Sequence, residues 1–188
     1  PGEMRVKLYR LGGPLPLSDA VPVFENFGFR VIEEVPTALT DEDRGYVHDF
    51  GVSLAGGALR GDLSTLEAAI DAVLEGRAEN DAFNRLIVEA GLAPRAVTLL
   101  RAWFRYLRQT GMSYGLVTVV DALRRAPDVA SAIIDRFATA HDPARAGDAA
   151  AIEAADAAIE AGLLKVAAID DDRILRAIRA VVGATLRT

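Results

Sequence analysis

The stretch "YRLGGPLPLSDAVPVFENFGFRVIEEVP", residues 9–36, decides the fold of the first part of the chain. It starts at the end of an alternating run, breaks at Gly12-Gly13-Pro14, continues as an apolar run with helical spacing and returns to alternation. Alternation is typical of a half-buried strand, and glycine beside proline marks a turn. The stretch therefore predicts a strand, a turn, a helix and a second strand.

Two alternating runs flank this stretch. "MRVKLYR", residues 4–10, places apolar side chains on one face and polar ones on the other, which predicts the first strand. "YVHDFGVSL", residues 46–54, predicts a third strand with one largely apolar face. That face carries Tyr46, His48, Phe50, Val52 and Leu54. The element order so far is β-α-β-β.

The start of the first helix depends on Pro22. Ser18 and Asp19 are both good N-cap residues. With Asp19 as the cap, Pro22 occupies the third helical position, where the N–H has no partner within the helix. With Ser18 as the cap, one helical hydrogen bond is lost. The sequence therefore predicts an Asp19 cap, and Gly28 is placed to end the helix.

From Ser64 the apolar period changes to 3.6. "STLEAAIDAVLEG", residues 64–76, has the capping-box spacing of Ser64 and Glu67. Further helices are predicted over about 81–90, 94–111, 113–126, 128–140, 147–168 and 171–188. The predicted fold class is α+β: a β-α-β-β(-α) module over residues 1–62, followed by an all-α helical module over residues 63–188.

Composition excludes several functional classes. The 188 residues include 27 acidic and 21 basic ones, for a net charge of −6, which argues against a nucleic-acid partner. The absence of cysteine excludes disulfides and thiolate chemistry and fits a cytoplasmic location. No apolar run approaches the roughly 18 residues of a membrane helix, so no membrane partner is expected. The chain stops inside the helical pattern "VVGATLRT", residues 181–188, which predicts a piece of a longer protein.

The two histidines do not predict a metal site. His48 and Asp49 are adjacent on a strand, so their side chains face opposite sides and cannot easily bind one ion. His48 lies among apolar neighbours and is predicted to be a satisfied, partly buried histidine. His141 is predicted to be a helix-end residue. With two separated histidines and no cysteine, a zinc site is not expected.

Other polar clusters also favour structural roles. Asp170, Asp171 and Asp172 lack the alternate spacing of a calcium loop and predict an acidic start to the last helix. "GGALRG", residues 56–61, matches neither a dinucleotide fingerprint nor a P-loop and predicts a flexible joint. Glu33 and Glu34 are predicted to be solvated. We therefore expect no catalytic residue, no metal and no cofactor in this chain.

The first part of the chain resembles an ACT-type (ferredoxin-like) regulatory module. The features that carry the resemblance are the β-α-β-β order, the Gly-rich turn after the first strand and a helix that ends in glycine just before the second strand. The sequence departs from that family because no fourth strand is visible. That strand could come from sequence before Pro1, or be absent.

Longer segments resemble the large bacterial class of NAD-specific glutamate dehydrogenase. They are "KLYRLGGPLPLSDAVPVFENFGFRVIEEVP", then "HDF", then "AENDAFNRLIVEAGLAPRAVTLLRAWFRYLRQTGMSY", then "DDDRILRAIRAVVGATLRT". The resemblance implies a parent enzyme that converts L-glutamate and NAD to 2-oxoglutarate, ammonia and NADH. The segment would comprise the last ACT-like module and helical motifs. The catalytic lysine and the NAD-binding fold would lie further along the parent chain, so no catalytic role carries over to a residue here.

The resemblance leaves two roles open. The favoured one is a scaffold that packs against the catalytic and other regulatory domains of the parent chain, within a homo-oligomer. The alternative is an effector module, in which the turn and helix start bind an amino acid through free N–H groups. Its candidate binding residues are Gly12, Gly13, Leu17, Ser18 and Asp19. Pro14 and Pro16 weaken the alternative, because proline has no N–H to donate.

Overall fold

The computed structural model describes residues 3–39, 45–54, 59–145 and 148–186. The chain divides into two compact units, Pro1–Gly91 and Leu92–Thr188. The first unit contains a sheet and helices, and the second is all-helical. The predicted α+β fold class is therefore confirmed.

The first unit is built on a three-stranded antiparallel sheet of order β1-β3-β2. Its strands are β1 (Met4–Arg10), β2 (Phe29–Ala38) and β3 (Tyr46–Leu54), as the alternating runs predict. Its helices are α1 (Leu17–Asn26), α2 (Leu63–Leu74) and the short α3 (Arg85–Glu89), which follows a 3-10 turn at Ala82–Asn84. The single helix predicted over 81–90 is thus a 3-10 turn followed by five α-helical residues.

The inner face of the sheet forms the core of this unit. Phe24 and Phe27, from α1 and the residue that ends it, are fully buried together with Phe50 of β3. The rings of Phe24 and Phe50 lie 4.9 Å apart and are tilted, a favourable arrangement for aromatic rings. Helix α1 contacts both β2 and α2, so it packs on this face of the sheet and α2 packs on α1.

The outer face of the sheet carries ion pairs. Arg5 Nε donates to Asp49 Oδ1 at 2.9 Å, and Arg5 also pairs with Glu33. The hydrogen bond with Asp49 raises the pKa of the Arg5 guanidinium and holds the pKa of the Asp49 carboxyl below its usual value. Gly51 leaves room for this cluster, since a Cβ there would lie 3.0 Å from Glu33 Cγ.

The predicted Asp19 cap is wrong. Helix α1 begins at Leu17, its N-cap is Pro16 in an extended conformation, and no side chain caps it. The carbonyl of Pro16 instead accepts from the N–H groups of Asp19 and Ala20, at 3.0 and 3.2 Å. Pro22 then lies inside the helix at the cost of one hydrogen bond. The predicted end is confirmed, because Gly28 has a φ of +92°, which favours glycine.

The cap of α2 also differs from the prediction. Asp62, not Ser64, precedes the helix, and its carboxylate accepts from the N–H of Thr65 at 2.9 Å. The hydroxyl of Ser64 adds a second bond to Asp62 at 2.6 Å. These hydrogen bonds hold the pKa of the Asp62 carboxyl well below its usual range, and the bond from Ser64 has the largest effect.

The first compact unit extends beyond the predicted module of residues 1–62. Leu66 and Ile70 of α2 are buried in it, as are Phe83 and Leu86 further along. The N–H of Arg60 donates to the carbonyl of Val88 at 2.9 Å, which joins the segment before α2 to α3. The two compact units therefore divide between Gly91 and Leu92. The division of the chain into modules after residue 62 stays a prediction.

The second unit contains five helices in its described residues. They are α4 (Pro94–Gln109), α5 (Leu116–Arg125), α6 (Pro127–His141), α7 (Ala149–Leu163) and α8 (Ile169–Ala184). Helices α6 and α7 approach closely at Gly162, where a Cβ would lie 2.5 Å from Val129 Cγ2. Ile133, Ile159 and Ile178 are fully buried among these helices. No helix within the described ranges is long and apolar enough to cross a membrane.

Ion pairs link the last three helices of this unit. Asp156 of α7 pairs with Arg136 of α6 at 3.5 Å, and Arg179 of α8 pairs with both Asp156 and Glu160 of α7. Arg176 of α8 continues the network to Glu160 at 3.6 Å. A connected network holds side chains more firmly than isolated surface pairs do.

Candidate functional site

The Gly/Pro turn between β1 and α1 is attached to the inner face of the sheet by His48. The N–H of Leu15 donates to Nε2 of His48 at 3.0 Å. On the other side of the ring, Nδ1 of His48 lies 2.7 Å from Oε1 of Glu34. His48 is only 1% exposed. We call Leu15, His48 and Glu34 the His48 clasp.

The geometry of the His48 clasp fixes which nitrogen of the imidazole carries the hydrogen. Because the Leu15 N–H can only donate, Nε2 of His48 must accept and carries no hydrogen. Nδ1 therefore carries the hydrogen and donates to the Glu34 carboxylate. Both ring nitrogens have partners within the unit, which confirms the predicted satisfied histidine. His48 is buried more completely than the predicted partial burial.

The sequence prediction for Glu34 is wrong. Its side chain is only 11% exposed and bound to His48, whereas its neighbour Glu33 is 55% exposed on the outer face. The cause is a β-bulge between Val31 and Glu33, where Ile32 is the extra residue. A bulge reverses which side chains face the core beyond it. The sequence signal is a break in alternation, where two apolar residues are followed by two acidic ones.

The five predicted effector-binding residues lie on one exposed segment. Gly12, Gly13, Leu17, Ser18 and Asp19 are all exposed, at the turn and the first residues of α1. A Cβ at Gly12 or Gly13 would have no atom within 4 Å. The hydroxyl of Ser18 donates to Asp19 Oδ1 at 3.3 Å. The turn thus has open space around it, but Leu15 donates its N–H to His48, and the two prolines have none to offer.

The three consecutive aspartates form the first turn of α8, as predicted. Asp170 accepts from the hydroxyl of Tyr114 at 2.7 Å, and Asp172 pairs with Arg176 at 2.9 Å. Asp171 accepts two bonds of 2.7 Å from Arg125. Within the described ranges, no three His, Cys, Asp or Glu side chains converge on a point that could hold a metal ion.

The remaining predicted features are structural or lie outside the described residues. His141 is the last residue of α6, as predicted, and its ring lies 4.5 Å from that of Phe137. Of the predicted joint at residues 56–61, positions 56–58 lie outside the described residues. Gly61 is described, and a Cβ there would lie 3.0 Å from the carbonyl oxygen of Ile87.

Two family models match most of the chain. The glutamate dehydrogenase ACT3 domain matches residues 1–66, and glutamate dehydrogenase helical motif 3 matches residues 78–143. The first range covers the sheet and α1, and the second covers α3 to α6. The gap between them contains the end of α2.

Curated relatives match along nearly the whole chain. The NAD-specific glutamate dehydrogenase of Pseudomonas aeruginosa is 38% identical over 99% of this chain, and that of Halomonas elongata is 35% identical over 98%. The protein of the same name from Mycobacterium tuberculosis is 34% identical over 92%. The chain spans only 12% of the length of the first two relatives and 11% of the third.

Proposed function

We propose that this segment, which belongs to the family of NAD-specific glutamate dehydrogenases, is a non-catalytic scaffold and regulatory segment of its parent enzyme. That enzyme would oxidise L-glutamate with NAD and water to 2-oxoglutarate, ammonia and NADH, with NAD bound outside this segment. The observation that carries the proposal is that the candidate reactive groups are bound within the chain. His48 is held by Leu15 and Glu34, and the aspartates of α8 are held by Tyr114 and by arginines.

Exposed apolar side chains support the scaffold role. In the first unit, Tyr9 is 75% and Leu11 85% exposed, and in the second unit Leu164 is 84% exposed. When a partner surface covers large apolar side chains that are this exposed, the removal of apolar area from water stabilises the complex. Because the chain spans about an eighth of its relatives, we assign the covering surfaces to the catalytic and other regulatory domains of the parent, and to its copies in a homo-oligomer.

The effector role of the Gly12–Asp19 turn is the second candidate. The open space around the turn and the missing side-chain cap of α1 favour it, because no side chain caps the first N–H groups of the helix. The two prolines and the His48 clasp oppose it. In this role an amino-acid carboxylate would bind at Leu17 and Ser18, with Asp19 beside its ammonium group.

Two titrations of the 188-residue chain test these roles. NADH fluorescence should stay unchanged when the chain is added, and saturable binding would contradict the non-catalytic assignment.

An amino acid that binds at the turn, at a concentration of 100 times its Kd, should add about 2.7 kcal/mol to the free energy of unfolding. A rise in melting temperature that Asp19→Ala abolishes, without unfolding the chain, would favour the effector role over the scaffold role alone.

A further inference from the structure

The helical unit contains a cavity of about 580 Å³. It lies where the turn from α5 to α6, the end of α7 and the start of α8 meet. This volume is in the range of sites that hold small molecules. Its apolar wall consists of small side chains, among them Ala126, Pro127, Val129, Ala158, Ala161 and Gly162.

One ion pair forms part of the wall. Both oxygens of Asp171 accept from the guanidinium of Arg125 at 2.7 Å, and Asp171 is only 5% exposed. This bond raises the pKa of Arg125. A bidentate pair of this kind is strong and geometrically fixed. The negative charge of Asp171 is thus balanced by Arg125, and the pair joins the start of α8 to the end of α5.

Two further charged groups line the same cavity. Lys165 follows α7, and Asp128 lies in the first turn of α6. Neither forms an ion pair within the described part of the chain, and both are exposed. The positive charge of Lys165 suits the C-terminal end of α7, and the negative charge of Asp128 suits the N-terminal end of α6. These helix-end effects do not explain why the two opposite charges line the same apolar cavity.

We propose that this cavity binds a small zwitterion, a free α-amino acid with a small apolar side chain. Its carboxylate pairs with Lys165, its ammonium group pairs with Asp128, and its side chain packs against the wall around Ala161. The bound molecule touches α6, α7 and the start of α8 together. This inference goes beyond the scaffold role and does not depend on it, because binding is measured on the 188-residue chain without the parent enzyme.

The test compares L-valine with two molecules that each lack one of its charges. Isovalerate keeps the carboxylate and isobutylamine keeps the ammonium group, with similar branched carbon skeletons. Backbone amide signals of residues 126, 128, 129 and 158–168 are followed by NMR during titration. We expect valine to shift them saturably and to bind at least about tenfold tighter than either comparator. No saturable shift up to about 50 mM valine, or equal binding of isovalerate, would overturn the proposal.

Substitutions locate the binding. Lys165→Met and Asp128→Asn should each weaken valine binding by about tenfold or more, and Lys7→Met, at the only other lysine, should not. Ala161→Leu should fill the cavity and abolish binding, whereas Ala154→Leu on the same helix should not, because Ala154 does not line the cavity. All five positions are exposed, so the variants should keep the melting temperature of the parent chain. Unchanged affinity in Ala161→Leu, or shifts confined to residues 12–19, would overturn the proposal.

Discussion

The N–H of Leu15 and Nε2 of His48 lie 3.0 Å apart, and this bond attaches the Gly/Pro turn to the third strand. The bond occupies the N–H of Leu15, so this N–H is not free to donate to a ligand carboxylate. Glu34 completes the arrangement on the other side of the ring. The main role of the turn is therefore structural, since it is attached to the sheet through His48.

His48→Ala should lower the free energy of unfolding by about 3 kcal/mol, because it leaves a cavity and an unpaired, nearly buried carboxylate at Glu34. Urea unfolding measures the change. The double variant with Glu34→Ala should cost less than the sum of the two single variants, since they share one interaction. Additive losses would mean that the two side chains do not interact.

Gly28→Ala should destabilise the chain by about 2 kcal/mol, because φ is +92° and the new Cβ would lie 2.9 Å from Glu89 Oε1. Gly13→Ala is the matched control, with no atom within 4 Å and no positive φ, and should change stability by less than about 0.5 kcal/mol. Equal effects at both positions would contradict the close approach of α1 and α3.

Gly162→Ala should destabilise the helical unit by about 1–3 kcal/mol, since its Cβ would lie 2.5 Å from Val129 Cγ2. Gly183→Ala, in α8, meets no atom within 4 Å and should stabilise the chain by about 0.5–1 kcal/mol. Thermal unfolding of both variants gives the comparison. Stabilisation by Gly162→Ala would rule out the tight packing of α6 on α7.

Asp62→Ala should lower the melting temperature at neutral pH, because the carboxylate caps α2. The folded-state pKa of Asp62 lies below its ordinary value of 3.8, so the folded state holds this proton less tightly than the unfolded state does. The stabilisation is therefore complete above about pH 5 and is lost as the pH falls below about 4. The gap in melting temperature between the two proteins should shrink over that range. A gap that stays constant down to about pH 3 would show that the charge is not involved.

Alternation in the sequence was sufficient to predict all three strands, because each has one face on the core. It could not predict which face Glu34 occupies, since the bulge at Ile32 depends on how β2 pairs with β3. The cap of α1 was missed because Pro16, which has no side-chain acceptor, takes the place expected for Asp19. Helical periodicity alone does not reveal whether α2 and α3 pack with the sheet or with the helices after them.

Of the candidate site, the sequence predicts a satisfied, partly buried His48 but not its partners. Leu15 and Glu34 are 33 and 14 residues away from it, and such contacts depend on the tertiary fold. The cavity beside Lys165 was not predicted either. Its lining comes from three separate segments whose alanines and glycine carry no chemical signal of their own.

The most direct measurement of the scaffold role is the oligomeric state of the parent enzyme with Leu164→Ser, determined by analytical ultracentrifugation. In the 188-residue chain, Leu164 is 84% exposed and Leu163 is 2% exposed, so Leu164→Ser should leave the melting temperature unchanged and the control Leu163→Ser should lower it. In the parent enzyme, Leu164→Ser should weaken assembly, while the KM values of the remaining assembled enzyme stay the same. Full assembly with unchanged activity would contradict a docking role for this surface.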